Sequence, residues 1–493
     1  MILTDHDEIE LKLDVSRETA DRMEASPILA DLPVQRLALR SVYFDMPDQR
    51  LRAAGMSLRI RDQGDKRVQT LKIAGSRAAG LFARKEWERP AEDERPVIDD
   101  TLPLRALLGS IDPAALKPVF EVRAERTIRV ICDGDDSIEL AIDRGEIEAG
   151  GREETFSEVE LELLSGSPSA LFALVRQLDA EMAGRIGVLS KAERGYRLQA
   201  GAGESAARAE SVALQPDMAA AAGFRAIAHA CLRQFRLNEM VLARTDQVEA
   251  LHQARVALRR LRSMMWIFRE MLDDGTRDRI YSELRWLAGE MGPARAIDVL
   301  AAMIEKGEAR DRLAQPRADA YAQARAALDS SRARAAVLDL VEWMAVGAWT
   351  ADPDRAELRD GPLAIMAANA LDKLRRQIKR AGDLNDLSDK QRHRVRIAVK
   401  KLRYGCDYFA RLYPGGKARK RAENFSSALE KLQDRLGRLN DIVTTPALLR
   451  QIGDGAIAAA VPDRAASDRD VAALIAKAEK ARLRLIEQKR FWR

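Results

Sequence analysis

The sequence predicts an α+β chain in two parts: an N-terminal eight-stranded antiparallel β tunnel or barrel with flanking helices, then an all-α domain of two pseudo-symmetric helical bundles. Three observations predict this. Apolar residues alternate with polar ones in short runs from Glu8 to Leu164, then recur at helical spacing through to Arg493. The charge is divided: residues 1–200 carry 29 Lys/Arg against 38 Asp/Glu, whereas residues 201–493 carry 53 against 39. An 11-residue segment of the helical part also occurs twice.

The strand signal resolves into eight runs: Asp7–Asp14, Ala38–Asp45, Ser57–Asp62, Arg67–Ile73, Leu81–Arg89, Phe120–Ile131, Ile138–Ile147 and Thr155–Leu164. Helices are expected at about Leu102–Leu108 and Pro168–Met182. So many antiparallel strands in one domain expose edges unless the sheet closes on itself, which is why a tunnel is expected rather than an open sheet. The expected domains are residues 1–200, a small-residue linker at 201–214 that begins Gly201-Ala202-Gly203, and residues 215–493.

Composition excludes several classes. Cys132, Cys231 and Cys406 are odd in number and in no metal-ligand spacing, so neither a disulfide framework nor a zinc site is expected. The first residues lack a basic segment followed by an apolar run, and the most apolar stretch, Val337 to Trp349, is broken by Asp339, Glu342 and Gly347. No membrane association and a reducing, cytoplasmic setting are the expectations. The positive excess of the helical part should gather polyanions.

The repeat sharpens that expectation. His252-Gln253-Ala254-Arg255-Val256-Ala257-Leu258-Arg259-Arg260-Leu261-Arg262 returns as His393-Arg394-Val395-Arg396-Ile397-Ala398-Val399-Lys400-Lys401-Leu402-Arg403. At 100° per residue His252, Arg255, Arg259 and Arg262 form one stripe, with Ala254, Leu258, Leu261 and Met265 beside it. His393, Arg396, Lys400 and Arg403 do the same against Val395, Val399, Leu402 and Cys406. A solvated helix face mixes signs for i,i+4 pairing, yet these stripes hold no acid. A second similarity follows each copy, Leu287 to Arg295 beside Leu432 to Asp441. Residues 215–493 resemble the CHAD family, the conserved histidine α-helical domains. The resemblance implies that the basic surface, with Arg260 and Lys401 added to the two stripes, binds inorganic polyphosphate; association with polyphosphate granules is a further expectation. Where the family's first half has an acidic residue after the arginine, this chain has Ala296.

In the N-terminal part, Glu8, Glu10 and Lys12 share one strand face opposite Ile9 and Leu11. Glu158, Glu160 and Glu162 likewise stand opposite Val159, Leu161 and Leu163. Five carboxylates facing one cavity would repel each other unless divalent cations bridged them, and hard oxygen donors suit Mg²⁺ or Mn²⁺. Basic residues alternate between these strands: Arg59 and Arg61, Lys72, Arg84 with Glu86 and Glu88, then Arg126 and Lys191. The inward parity of the Arg126 strand stays open, because Arg123 and Arg129 occupy its other face. Guanidinium and ammonium groups clamp phosphate oxygens, so both kinds of residue in one lumen suit a metal-bound polyphosphate chain. A nucleic-acid surface would not need the glutamates.

With Leu58-Arg59-Ile60-Arg61, Leu71-Lys72, Glu158-Val159-Glu160-Leu161-Glu162 and Ser190-Lys191-Ala192-Glu193-Arg194-Gly195-Tyr196 in this order, residues 1–200 resemble the CYTH family of triphosphate tunnel metalloenzymes. The CYTH-then-CHAD order resembles the bacterial inorganic triphosphatases. The resemblance implies metal-dependent hydrolysis of tripolyphosphate to pyrophosphate and phosphate. Glu8, Glu10 and Glu158, Glu160, Glu162 would hold metal, and Lys12, Arg59, Arg61, Lys72, Arg84, Arg126 and Lys191 would hold substrate. Two alternatives remain: an organic-triphosphate enzyme of the thiamine-triphosphatase or class IV adenylate cyclase type, and a non-catalytic polyphosphate-binding protein.

Overall fold

The structure, a computed structural model, describes residues 4–73, 80–99, 104, 112–179, 183–202, 205–461 and 468–493. The side chains of Glu8 and Arg84 lie outside the described residues, as does the helix expected at 102–108 apart from Leu104. Two compact units divide the chain: residues 1–206 with 334–346, and residues 207–333 with 347–493.

Among the described residues nine strands build the sheet of the first unit, eight of them long: β1 (Thr4–Asp14), β2 (Gln35–Asp45), β3 (Met56–Gln63), β4 (Lys66–Ile73), β5 (Leu81–Pro90), β6 (Lys117–Asp133), β7 (Asp136–Ala149) and β8 (Arg152–Ser165). All pairings are antiparallel, in the order β5-β4-β3-β2-β6-β7-β8-β1. Strand β1 pairs with β8 on one side and with β5 on the other, so the sheet returns on itself and leaves no long open edge. A two-residue strand, β9 (Arg185–Ile186), adds to the end of β1.

The apolar face of this sheet points outward. Leu11, Leu58, Leu71, Leu140, Val159 and Leu161 are fully buried on that face. One outer core joins Leu58, Ile60 and Leu71 to Phe44, Leu51 and Leu104. Each buried Leu or Ile side chain contributes on the order of 1.5–3 kcal/mol, so the shell, not the charged interior, supplies the stability.

One end of the lumen is filled by side chains. Tyr43, Phe120 and Phe156 pack there against Ala192 and Tyr196 of the helix Lys191–Gln199. Tyr43 and Phe120 stack at 4.6 Å, and Tyr196 meets Phe120 edge-on at 5.0 Å. Gly195 permits this approach, since a Cβ there would lie 2.3 Å from a ring atom of Phe120.

The second unit is helical. Its buried centre is the helix Ala220–Leu242, with Phe224 beside Phe268 (5.4 Å) and Trp349 (5.7 Å). The repeated segments form the helices Val248–Ile267 and Asp389–Phe409, and their apolar stripes, Ala254, Leu258, Leu261, Met265 and Val395, Val399, Leu402, Cys406, are all buried. All three cysteines are free, and no described helix is long and apolar enough to cross a membrane.

Candidate active site and basic cavity

A cavity of about 500 Å³ occupies the tunnel, lined by Glu10, Lys12, Arg59, Arg61, Lys72, Arg126, Glu160, Glu162 and Lys191. The strand alternation read from the sequence brings all of these except Lys191 together, because each shares parity with the lumen; Lys191 enters from the helix Lys191–Gln199. Glu158, one step deeper than Glu160 on the same face, is completely buried.

The pairing registers explain the electrostatics. Across β1 and β8, Glu10 stands opposite Glu162 and Lys12 opposite Glu160; across β7 and β8, Glu139 stands opposite Glu162 and Asp143 opposite Glu158. Glu10, Glu162 and Glu139 therefore form a row of carboxylates on three adjacent strands. Directly opposed like charges destabilise a sheet unless positive charge lies between them.

Deeper in the lumen, Asp143, Glu158 and Glu160 bring oxygens within 4.8 Å of one another. Lys12 bonds to Glu160 and lies 3.3 Å from Glu158. Lys191 reaches Asp143 at 2.7 Å and Glu160 at 3.0 Å and also bonds Glu158. Arg126 grips Asp143 with two bonds of 2.7 and 2.6 Å and touches Glu160. Three acids face three cations, which is the condition for burying such charges. Burial opposes the charge of Asp143, but Lys191 and Arg126 outweigh it and hold the carboxyl to about 2. Glu160 is likewise held well below its usual range, against burial, by Lys12, Lys191 and Arg126. The donors are all carboxylate oxygens, and Glu158 Oε2 is buried without a hydrogen bond, so the lumen fits a hard divalent cation.

Local sequence aims Lys191. Ser190 accepts a bond from the Glu193 N–H (3.2 Å) while Glu193 Oε2 accepts from the Ser190 N–H (2.9 Å), a reciprocal cap that fixes the helix start and turns its first residue into the lumen.

The opposite wall is basic. Arg59 Nη1 lies 3.5 Å from the Tyr43 hydroxyl and Lys72 bonds Glu86 at 2.8 Å. Arg61 has no ion pair with a described residue and contacts Ser41 Oγ at 3.4 Å. Burial, then Arg59 and Arg126, lower its pKa to about 10.

Arg126 is thus the inward residue of β6, while Arg123 is exposed and pairs with Glu121 and Glu146 on the outer face. Sequence reasoning missed Asp143, Glu139 and Tyr43. The signal for the first two was present, since Ile138, Leu140 and Ile142 alternate with Glu139, Ala141 and Asp143. Strand β1 also carries Glu8, in register with Arg84 of β5.

The helical unit has its own cavity, of about 740 Å³. His252, Arg255, Arg259, Arg262, His393, Arg396, Lys400 and Lys401 line it, joined by Arg295, Ala296, Asn440 and Asp441 from the second similarity. Seven Arg and Lys side chains face one carboxylate, Asp441. Arg295 and Asn440 occupy matching places in the two copies, as do Ala296 and Asp441, so Ala296 removes a second acid. Burial, then Arg396 and Arg259, lower Lys400 to about 7; burial, then Arg269 and Arg262, lower Lys401 to about 8. Burial, then Arg259 and Arg295, bring Arg255 to about 10. His393 Nδ1 lies 3.1 Å from Asn440 Oδ1.

Arg260 and Arg403, expected with this group, are not among its lining residues. Arg260 is turned 100° from Arg259 and lies over Tyr408 at 4.9 Å. Burial pushes the nearby Asp407 carboxyl up, against the opposing charges of Arg403 and Arg260.

Residues 6–196 match the CYTH domain and residues 226–450 the CHAD domain. The chain carries a CYTH domain followed by a CHAD domain. Its CYTH part is 35% identical over 200 residues to an inorganic triphosphatase of Haemophilus influenzae, an alignment covering 39% of this chain and 54% of that protein. The chain thus spans about half the length of that relative. An uncharacterized protein of Mycobacterium tuberculosis is 26% identical over 479 residues, 89% of this chain and 87% of the relative. The crystal structure of the CHAD domain from Ricinus communis aligns with 56% of this chain and 96% of its own, at 29% identity and a TM-score of 0.46.

Proposed function

We propose that the CYTH tunnel hydrolyses inorganic triphosphate to pyrophosphate and phosphate with a divalent cation, Mg²⁺ or Mn²⁺, and that the basic CHAD cavity binds inorganic polyphosphate. The observation that carries the tunnel reading is Arg61: a lumenal guanidinium with no ion pair among the described residues, its charge opposed by burial and by Arg59 and Arg126. An anion with several negative oxygens relieves that cost.

Arg59, Arg61 and Lys72 would bind phosphoryl oxygens from one wall, and Lys12, Arg126 and Lys191 from the other, where their carboxylate partners already hold them in place. Glu10, Glu139 and Glu162 would hold the cation, with Glu160 one step deeper. When bound, it would screen phosphate charge and make a coordinated water more acidic. The same cationic groups neutralise charge that develops on the leaving pyrophosphate. The CHAD reading rests on the seven-to-one excess of cations over acids in its cavity, a balance a polyanion reverses.

The test is phosphate release from tripolyphosphate by the full chain, with and without Mg²⁺ or Mn²⁺, beside ATP and thiamine triphosphate. Metal-dependent release that is fastest from tripolyphosphate supports the reading. Faster turnover of an organic triphosphate, or cyclic AMP from ATP, defeats it.

A further inference from the structure

The helical unit contains a second large cavity, about 1050 Å³, to which neither the tunnel chemistry nor the polyanion site gives a role. It runs along the helix Leu363–Arg380, which lines it at three- and four-residue steps from Ile365 and Met366 to Gln377 and Arg380. An 18-residue helix is roughly 27 Å long, so the cavity is a groove rather than a pit.

Its floor is apolar: Ile267, Phe268 and Met271 on one side, Val395 and Ala398 on the other, all buried. Its lip is apolar and exposed, since Ile365 is 60% exposed, more than any other exposed large hydrophobic residue described, and Leu358 is 44% exposed. Isolated exposed apolar residues are ordinary; two at the mouth of one apolar groove are not.

The rim is basic. Arg269, Lys373, Arg376, Arg380 and Arg394 stand against Glu270 and Glu357. Lys373 bonds Glu270 at 2.7 Å and Arg269 approaches it at 3.5 Å, so that acid is already neutralised. Arg376, Arg380 and Arg394 are exposed and make no ion pair with any described residue. Bare polyphosphate would gain nothing from the apolar floor. A ligand with an apolar stripe flanked by carboxylates would use both features, and an amphipathic helix has that shape at this length.

We propose that this groove docks an acidic amphipathic helix of a partner protein. Its apolar side chains, spaced three and four apart, cover Ile365, Met366 and Leu358, and its carboxylates meet Arg376, Arg380 and Arg394. Charge complementarity sets orientation and association rate, and the apolar seam supplies affinity.

The experiment pans a displayed library of helix-forming 18-residue peptides against the full chain, then measures the affinity of selected peptides for the full chain and two variants. The variants are Ile365→Glu and Arg376→Glu/Arg380→Glu; both alter exposed side chains, and unchanged thermal midpoints confirm their folding. The expected peptides combine acids with apolar residues at helical spacing and lose at least about 10-fold in affinity on each variant. Selected peptides that bind both variants as they bind the parent chain overturn the proposal. So do peptides whose binding depends on charge alone. Concentration-dependent self-association of the parent chain that Ile365→Glu abolishes also overturns it, by making a second copy the occupant.

Discussion

The tunnel lumen and the basic cavity of the helical unit are both lined with cations, and they treat them in opposite ways. In the tunnel Lys12, Lys191 and Arg126 rest on Asp143, Glu158 and Glu160, and burial is tolerated because the charges cancel. In the helical cavity Arg255, Arg259, Lys400 and their neighbours face Asp441 alone. The pKa shifts record the contrast: partners raise Lys191 and Arg126 above their usual values, whereas burial and neighbouring arginines lower Lys400, Lys401 and Arg255. The first arrangement cancels its charges within the protein. The second leaves repulsion that a bound polyanion would relieve.

The contrast breaks most visibly on removing acids from the tunnel. Glu10→Gln and Glu160→Gln should each slow phosphate release from tripolyphosphate by on the order of 100-fold or more, with the barrel still folded by circular dichroism. Near-normal rates in both would show that the acidic wall is decorative. Removing cations from the helical cavity should separate the sites. Arg259→Glu with Lys400→Glu should weaken polyphosphate binding by at least roughly 100-fold, from two charge-assisted bonds worth about 1.5–3 kcal/mol each, and leave tripolyphosphate turnover unchanged. Equal effects on both readouts would merge what is here kept apart.

A packing change probes the tunnel's closed end. Gly195→Ala should cost about 1–3 kcal/mol in a thermal melt, because Phe120 is held between Tyr43 and Tyr196 and cannot swing aside. An unchanged melt would mean that the ring has room.

The smallest effect is in pH. Lys400, surrounded by Arg396, Arg259, Arg255 and Asp441, sits near 7 in the free protein, and a bound polyanion raises it. Above pH 7 the complex therefore holds a proton that the free protein lacks. Polyphosphate affinity should fall as pH rises from 7 to 9, by about three- to tenfold per unit, with proton uptake measurable by calorimetry in buffers of different ionisation enthalpy. Over the same window the unfolded chain binds more protons than the unliganded cavity, so the free helical unit gains stability as pH rises. Asp143 has the same sign in a lower window: its contribution is complete above about pH 4 and is lost as pH falls through about 2.

Much of this was legible in the sequence because the tunnel face is charged and its outer face apolar. Leu11 and Leu161 against Glu10, Lys12, Glu160 and Glu162 is a period-two pattern that survives without coordinates. Strand β6 resisted, since arginines occur on both its faces. Only the register of Arg126 against Asp143 separates Arg126 from Arg123. Tyr43, Phe120 and Phe156 were also hidden: they face inward like Arg126 yet are aromatic, because that end of the lumen is filled by the helix Lys191–Gln199. In the helical unit the repeat exposed both basic stripes, but placing Arg260 required the helix rotation, and that Arg403 does not line the cavity was not legible in the repeat. Asp441 was visible within the second similarity, and only the cavity showed what it faces.

The most direct test is to crystallise the full chain with Mn²⁺ and a non-hydrolysable triphosphate analogue and to locate the metal by anomalous scattering. The account predicts a peak inside the tunnel within coordination distance of Glu10 and Glu162, with the analogue's oxygens against Arg61. A metal and analogue bound outside the lumen, with Glu10 and Glu162 untouched, would contradict it.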